Sequence, residues 1–317
     1  MKHLLGYSVF QPLSDFSGTD VGGFLAGIGC DGLELFTMFD PVCPSYLPYT
    51  VSTHLPYAVD WHRAWSGDMD GFGEDIEDLR FITFGRDRGE VVANIRRMMD
   101  VAACLDPAYG VFHAGNTDME QMYHHDYASD DRKVLEAFAE MVNAAVSCYR
   151  GGEPPLKLAL ENLWWSGLKL REPWEHRLLE DKLEFDNWCL CLDVGHLMNG
   201  LPDSTDEAAA TAAAMRVIDG YPQDMRDRIE VMHLHCSTSA EYRRCFDEKD
   251  VSLKDIDKLM RESYKHVGMI DQHKPFTDKR CTEFTDAIQP DFVTHEMISD
   301  SIEEVIANFR LQRSHFP

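Results

Sequence analysis

The sequence predicts an α/β chain folded as a single (β/α)8 TIM barrel, and three observations carry that expectation. Short runs of β-branched and apolar residues alternate with longer segments of helical period, the pattern of repeated βα units rather than of separate β and α domains. Eight such runs can be counted, as many as a closed barrel needs. Most of them end in a histidine or a carboxylate, at the rim where barrel enzymes carry their chemistry.

The candidate strands are residues 4–10, 32–36, 51–55, 109–113, 156–162, 188–194, 229–235 and 291–296. Between them, segments 90–105, 131–150 and 206–221 place apolar residues three and four apart, as in Val134, Phe138, Met141 and Ala145, which predicts helices with one buried face. Residues 208–214 form an alanine-rich helix interior, and a last helix is expected over about 300–313. Two segments, 56–80 and 237–270, exceed the minimal repeat. Both follow a strand, so they are expected to cover the catalytic face. No linker, internal repeat or low-complexity tract divides the chain, which reads as one domain over 1–317.

A chain of 317 residues, 44% of them apolar, can bury a sizeable core. No stretch approaches the roughly 20 apolar residues that cross a bilayer, and the first ten residues lack a signal peptide's apolar segment, so a cytoplasmic location without a membrane is expected. Nine cysteines without CxxC or zinc-finger spacing predict reduced, mostly buried thiols. The net charge of −25 repels phosphate backbones, and no run of Lys and Arg neutralises several phosphates at once, which disfavours nucleic acid as a partner. A small carbohydrate or phosphorylated molecule is the expected partner, self-association is left open, and an acidic cleft would attract divalent cations.

The strongest local signal is CLCLDVGH, where Cys189, Cys191 and Asp193 share one strand face and His196 lies just past the strand end. Other strand ends carry His54 in STHLPY, His113 in VFHAG, Glu161 in LALENL, His233 and His235 in VMHLHCS, and Glu296 in THEM. Asp271 and His273 in MIDQHKP lie two apart and face the same way if extended. A buried core histidine explains any one of these alone better than a metal does; agreement at successive strand ends argues for shared cations. Imidazole with carboxylate suits zinc, manganese or cobalt more than magnesium or calcium, and zinc or manganese is expected, at one to three ions. Cys189 and Cys191 lie deeper than Asp193 and read as core thiols. Trp61, Trp65, Trp164 and Trp165, just beyond strand ends, fit either stacking on sugar faces or bases, or packing of a lid.

GLELF, HLPY, FHAG, LEN, LDVGH, MHLH, IDQH and THEM follow one another in an order that resembles the xylose-isomerase-like TIM-barrel superfamily over nearly the whole chain. That superfamily includes sugar isomerases, sugar-phosphate epimerases and the endonuclease IV family of metal-dependent phosphodiesterases. Similarity to endonuclease IV implies three ions: one on His54, His113 and Glu161; a second on Glu161, Asp193, His233 and Glu296; a third on His196, Asp271 and His273. Tyr57 matches a tyrosine those phosphodiesterases also carry. Similarity to the epimerases implies one ion on Glu161, Asp193, His233 or His235, and Glu296. There Glu161 and Glu296 would exchange a proton with the substrate and His196 would bind a substrate oxygen, with Arg243 or Arg244 holding a phosphate or hydroxyl.

The departures bear on substrate. FTMFDPVCPSY lacks the Arg-containing, Trp-terminated loop that endonuclease IV proteins set against DNA, and MIDQHKP is not followed by Gly-Glu-Gly. The expectation is therefore a sugar or sugar-phosphate isomerase or epimerase, working by proton transfer beside a metal-polarised carbonyl. A multinuclear phosphoesterase for small esters stands close behind, and a non-catalytic metal-binding barrel third.

Overall fold

A computed structural model describes residues 1–16, 20–70, 72, 79–124, 127, 129–246 and 256–317. Parts of the two long segments expected over the catalytic face, 71, 73–78 and 247–255, lie outside the described residues.

All eight expected strands form: β1 Lys2–Ser8, β2 Gly32–Phe36, β3 Thr50–His54, β4 Gly110–His113, β5 Leu158–Glu161, β6 Trp188–Asp193, β7 Ile229–His233 and β8 Phe292–His295. Each pairs in parallel with its sequence neighbours, and β1 pairs with β8 to close the barrel. The first strand starts and stops two residues earlier than expected. The seventh ends at His233, which leaves His235 beyond it.

Strand parity explains how the barrel builds a site. Side chains two apart point the same way, so a core residue is followed by a rim residue on each strand. Val111, Ala159, Cys191 and Val231 fill the barrel interior together with Leu4, Tyr109 and Cys189. Two residues further on stand His113, Glu161, Asp193 and His233. Cys189 and Cys191 are fully buried, as expected, and all nine cysteines are free.

Outside the strands, helices pack their apolar stripes onto the sheet. Helix Asp131–Val146 is capped by the Asp130 carboxylate, which accepts from the Arg132 N–H at 3.0 Å, and it buries Val134, Leu135, Phe138, Met141 and Val142. It stops short of the expected residue 150, and Gly151 and Gly152 then turn the chain at φ 76° and 72°. Helix Ile256–Ile270 packs against helix Met119–His124 and runs into Asp271. Among the described residues no helix is long and apolar enough to cross a membrane.

Phe138 is fully buried and its ring lies 5.4 Å from that of Phe112. Phe138→Ala is expected to cost about 3–5 kcal/mol, read as a lowered urea midpoint with the slope unchanged.

Candidate metal centre

Glu161 ends β5 at 1% exposure, and neither of its carboxylate oxygens has a hydrogen-bond partner. Imidazole nitrogens surround it instead. Oε2 lies 3.1 Å from His113 Nε2 and 3.3 Å from His54 Nε2, while Oε1 lies 3.3 Å from both His233 Nδ1 and His196 Nδ1. A buried carboxylate without donors is costly, and a cation between these nitrogen and oxygen atoms removes the cost.

Three groups of side chains bring their ligand atoms within 4.8 Å of one another: His54, His113 and Glu161; Glu161, Asp193, His233 and Glu296; and His196, His235, Asp271 and His273. Glu161 belongs to the first two. In the second, His233 Nδ1 faces Glu296 Oε2 at 3.4 Å and Asp193 Oδ2 at 3.7 Å. In the third, Asp271 Oδ2 lies 2.8 Å from His273 Nε2 and 3.2 Å from His196 Nε2.

Backbone carbonyls set the tautomers. His54 Nδ1 donates to Leu55 O at 2.9 Å, His196 Nδ1 to Asn162 O at 2.8 Å, and His273 Nδ1 to Glu296 O at 2.9 Å. A carbonyl only accepts, so each ring holds a proton on Nδ1, and Nε2 is the atom turned toward the carboxylates, where a cation would take the place of its proton. His273 reaches this position with a left-handed backbone, φ 45°.

The charges are interdependent. Burial pushes the Glu161 carboxyl up, yet His113 and His233 outweigh it and hold the group well below the usual range. Burial is likewise outweighed at Asp271 by His273 and His196, and at Glu296 by His233 and His273, which bring Glu296 down to about 2. The imidazoles respond in kind: burial lowers His273, but Asp271 and Glu296 raise it to about 10. His113 alone of the first group is pulled down, by burial. At neutral pH the carboxylates are thus ionised and ready to bind, and cations must displace protons from the raised histidines.

A family model described as xylose isomerase-like TIM barrel matches residues 24–278. The chain belongs to this family. A xylose isomerase candidate from Rhodospirillum rubrum aligns over 99% of this chain and 100% of that chain at 12% identity, with a TM-score of 0.55. A D-tagatose 3-epimerase-like protein aligns over 99% and 97% at 13% identity, with a TM-score of 0.50. Endonuclease IV from Thermus thermophilus aligns over 99% and 98% at 15% identity, with a TM-score of 0.49. At these identities the likeness is one of fold. No curated protein matches the sequence.

A cavity of about 310 Å³ opens over the rim of this xylose isomerase-like barrel, lined by His54, Tyr57, His113, Glu161, His196, Asp271, His273 and Glu296. Of the substrate-binding candidates, Tyr57 lines it and stacks on His113 with centroids 4.5 Å apart. Trp164 and Trp165 border a smaller side chamber instead, with Trp164 4.9 Å from His196. His235 is fully buried within the third group, where Nε2 lies 3.0 Å from Asp193 Oδ2 and the ring stacks on His273 at 4.0 Å. Gly195 leaves room for it, since a Cβ there would meet His235 Cε1 at 1.9 Å. Arg243 points elsewhere and donates to Leu201 O at 2.8 Å, and Arg244 lines a separate surface hollow, so neither reaches the cavity. Trp61 and Trp65 are packing residues, their indole N–H groups directed at Gly115 O and Glu140 Oε2.

Sequence reasoning missed the residues behind the ligands. Glu34 in β2 places Oε1 2.8 Å from His233 Nε2, while its Oε2 accepts from Tyr109, Thr294 and Ser52 at 2.8, 3.0 and 3.2 Å. Asn162 holds the Asp193 backbone at both N–H and C=O, at 2.8 and 3.0 Å, and Asn199 donates to Asp271 Oδ1 at 3.0 Å. A carboxylate within the apolar run GLELF was the available signal for Glu34; Asn199 carries none.

Glu34→Gln keeps the volume and removes the charge behind His233. It is expected to weaken metal binding on the order of 10- to 100-fold with the fold retained, measured by competition with a chelator. The titrations give a second expectation. His273 is raised from 6.5 to about 10, so its contribution to stability is full below pH 6.5 and is lost as pH rises through 10. Metal-stripped protein should therefore lose thermal stability over that interval while zinc affinity climbs, which thermal melts with and without zinc will check.

Proposed function

We propose that this chain is a divalent-metal-dependent hydrolase of small phosphoesters, with zinc or manganese as its ions. The observation that carries the reading is the division of one rim into three adjoining ligand groups, two of which share Glu161. Proton transfer beside a carbonyl calls on the central group alone. His54, His113 and Glu161 would hold one ion; Glu161, Asp193, His233 and Glu296 a second; His196, Asp271 and His273 a third. Bound there, clustered divalent ions make water nucleophilic near neutral pH and offset phosphoryl charge.

Hydrolysis joins a water oxygen to phosphorus, breaks the P–O bond to the ester group, and releases the alcohol with a proton taken from the water. The chain's own side chains frame that exchange. Burial raises the Tyr57 phenol, so it stays a neutral donor facing the cavity. The ionised carboxylates keep Nε2 of His54, His196 and His273 and Nδ1 of His233 turned inward, while Glu34 holds the His233 ring from behind and Asn199 holds Asp271. A cavity of about 310 Å³ accepts a small molecule rather than a duplex, in keeping with the net charge of −25.

A second reading, isomerisation or epimerisation of a sugar on the central group, is favoured by the neutral polar lining of Ser8, Gln11 and Tyr57. Among the described residues no Lys or Arg lines the cavity. Elemental analysis and turnover on 4-nitrophenyl phosphoesters separate the two. Hydrolysis predicts three ions per chain. His273→Ala should then lose one ion and roughly tenfold or more of turnover. A single ion, with His273→Ala fully active on a sugar, would replace this reading with the second; Glu161→Gln should silence both.

A further inference from the structure

Beside the main cavity lies a side chamber of about 70 Å³ that no metal ligand needs. Its walls are Val59, Met122, Trp164, Trp165, Tyr264 and Val267, and it reaches His113, His196 and Asp271 at its floor. Tyr57, His113, His196 and Asp271 border both spaces, so the chamber opens from the site itself. The Trp164 indole N–H is already spent on the Tyr127 hydroxyl at 3.1 Å, Trp165 Nε1 is buried without a partner, and most of the remaining wall is carbon. Tyr57 lines both spaces, and its hydroxyl makes no hydrogen bond among the described residues. An apolar recess against a cluster of cation ligands, with one free hydroxyl between them, matches a molecule with one charged end and one hydrocarbon end.

We propose that this chamber selects phosphoryl compounds carrying a short alkyl group, of about two or three carbons. The inference rests on the hydrolase reading for the charged end and on the chamber for the other. Its size sets the limit: a water occupies about 30 Å³ of liquid and benzene needs a cavity of about 150 Å³, so ethyl and propyl groups fit where a ring does not. Tyr57 then donates to the oxygen next to the alkyl group, and Met122 and Val267 pack against the alkyl carbons.

Binding tests it without requiring turnover. Methyl-, ethyl-, n-propyl- and cyclohexylphosphonate are titrated calorimetrically into the zinc-loaded full chain. Affinity is expected to rise about fourfold per added carbon through propyl and to fall for cyclohexyl. Val267→Phe, which fills the chamber, should flatten the series from methyl to propyl. Met122→Ala, which enlarges it, should move the optimum to a longer chain. A flat series in the wild-type protein, or no phosphonate binding at all, overturns the proposal. A rising series without turnover on any phosphoester would uphold the chamber and sink the hydrolase reading instead.

Discussion

Burying an ionised carboxylate takes it away from water, and the effective penalty in a protein is several kcal/mol unless charge or donors replace the lost hydration. Glu161 is in that position, nearly inaccessible and with both oxygens lacking donors. The barrel responds by surrounding it with the imidazoles of His54, His113, His196 and His233, brought in from four other segments of the chain. Those imidazoles in turn need carboxylates, so Asp193, Asp271 and Glu296 follow. Once one buried charge sits at the end of β5, the rest of the rim is constrained to supply partners of the opposite charge in turn.

Why so much of this rim was legible follows from the geometry of parallel strands. In a closed parallel barrel every strand ends at the same mouth, so an inward histidine or carboxylate closing a strand is already placed near the others. His54, His113, Glu161, Asp193 and His233 each stand at a strand's last position. Two-residue parity also explains why Cys189 and Cys191 belong to the core and Asp193 to the rim. What was not legible depends on contacts between side chains from strands or loops that are not read together. Glu34 matters because Tyr109, Thr294, Ser52 and His233 all turn toward it, and none of those pairings has a sequence spacing. Arg243 failed in the opposite way: nearness in sequence to the seventh strand says nothing about the side on which its helix faces, and it faces the carbonyl of Leu201.

The third ligand group differs in origin from the other two. Asp271 follows directly on helix Ile256–Ile270, its N–H still bonded to Val267 O at 2.7 Å, and His273 turns through a left-handed backbone to reach Glu296 O. Two of its donors therefore come from the covering segment and not from a strand. The same helix supplies Tyr264 and Val267 to the side chamber, so its seating shapes an apolar wall and a cluster of ligands together. His235 ties that cluster to the central one, since it reaches Asp193 with Nε2 and stacks on His273.

Mixed donors settle what kind of ion such a rim favours. Magnesium and calcium prefer oxygen alone, whereas imidazole nitrogen beside carboxylate suits zinc or manganese. The ring orientations matter too, because backbone carbonyls hold a proton of His54, His196 and His273 on Nδ1 and so leave Nε2 as the atom that faces the carboxylates. An acidic chain draws cations of every kind toward its surface, but only an ion that accepts nitrogen gains from entering this layer. Net charge would therefore concentrate ions near such a site, while Glu34, Asn162 and the backbone carbonyls behind the ligand groups fix which atoms an ion would meet, and the two effects act at different distances on the same rim.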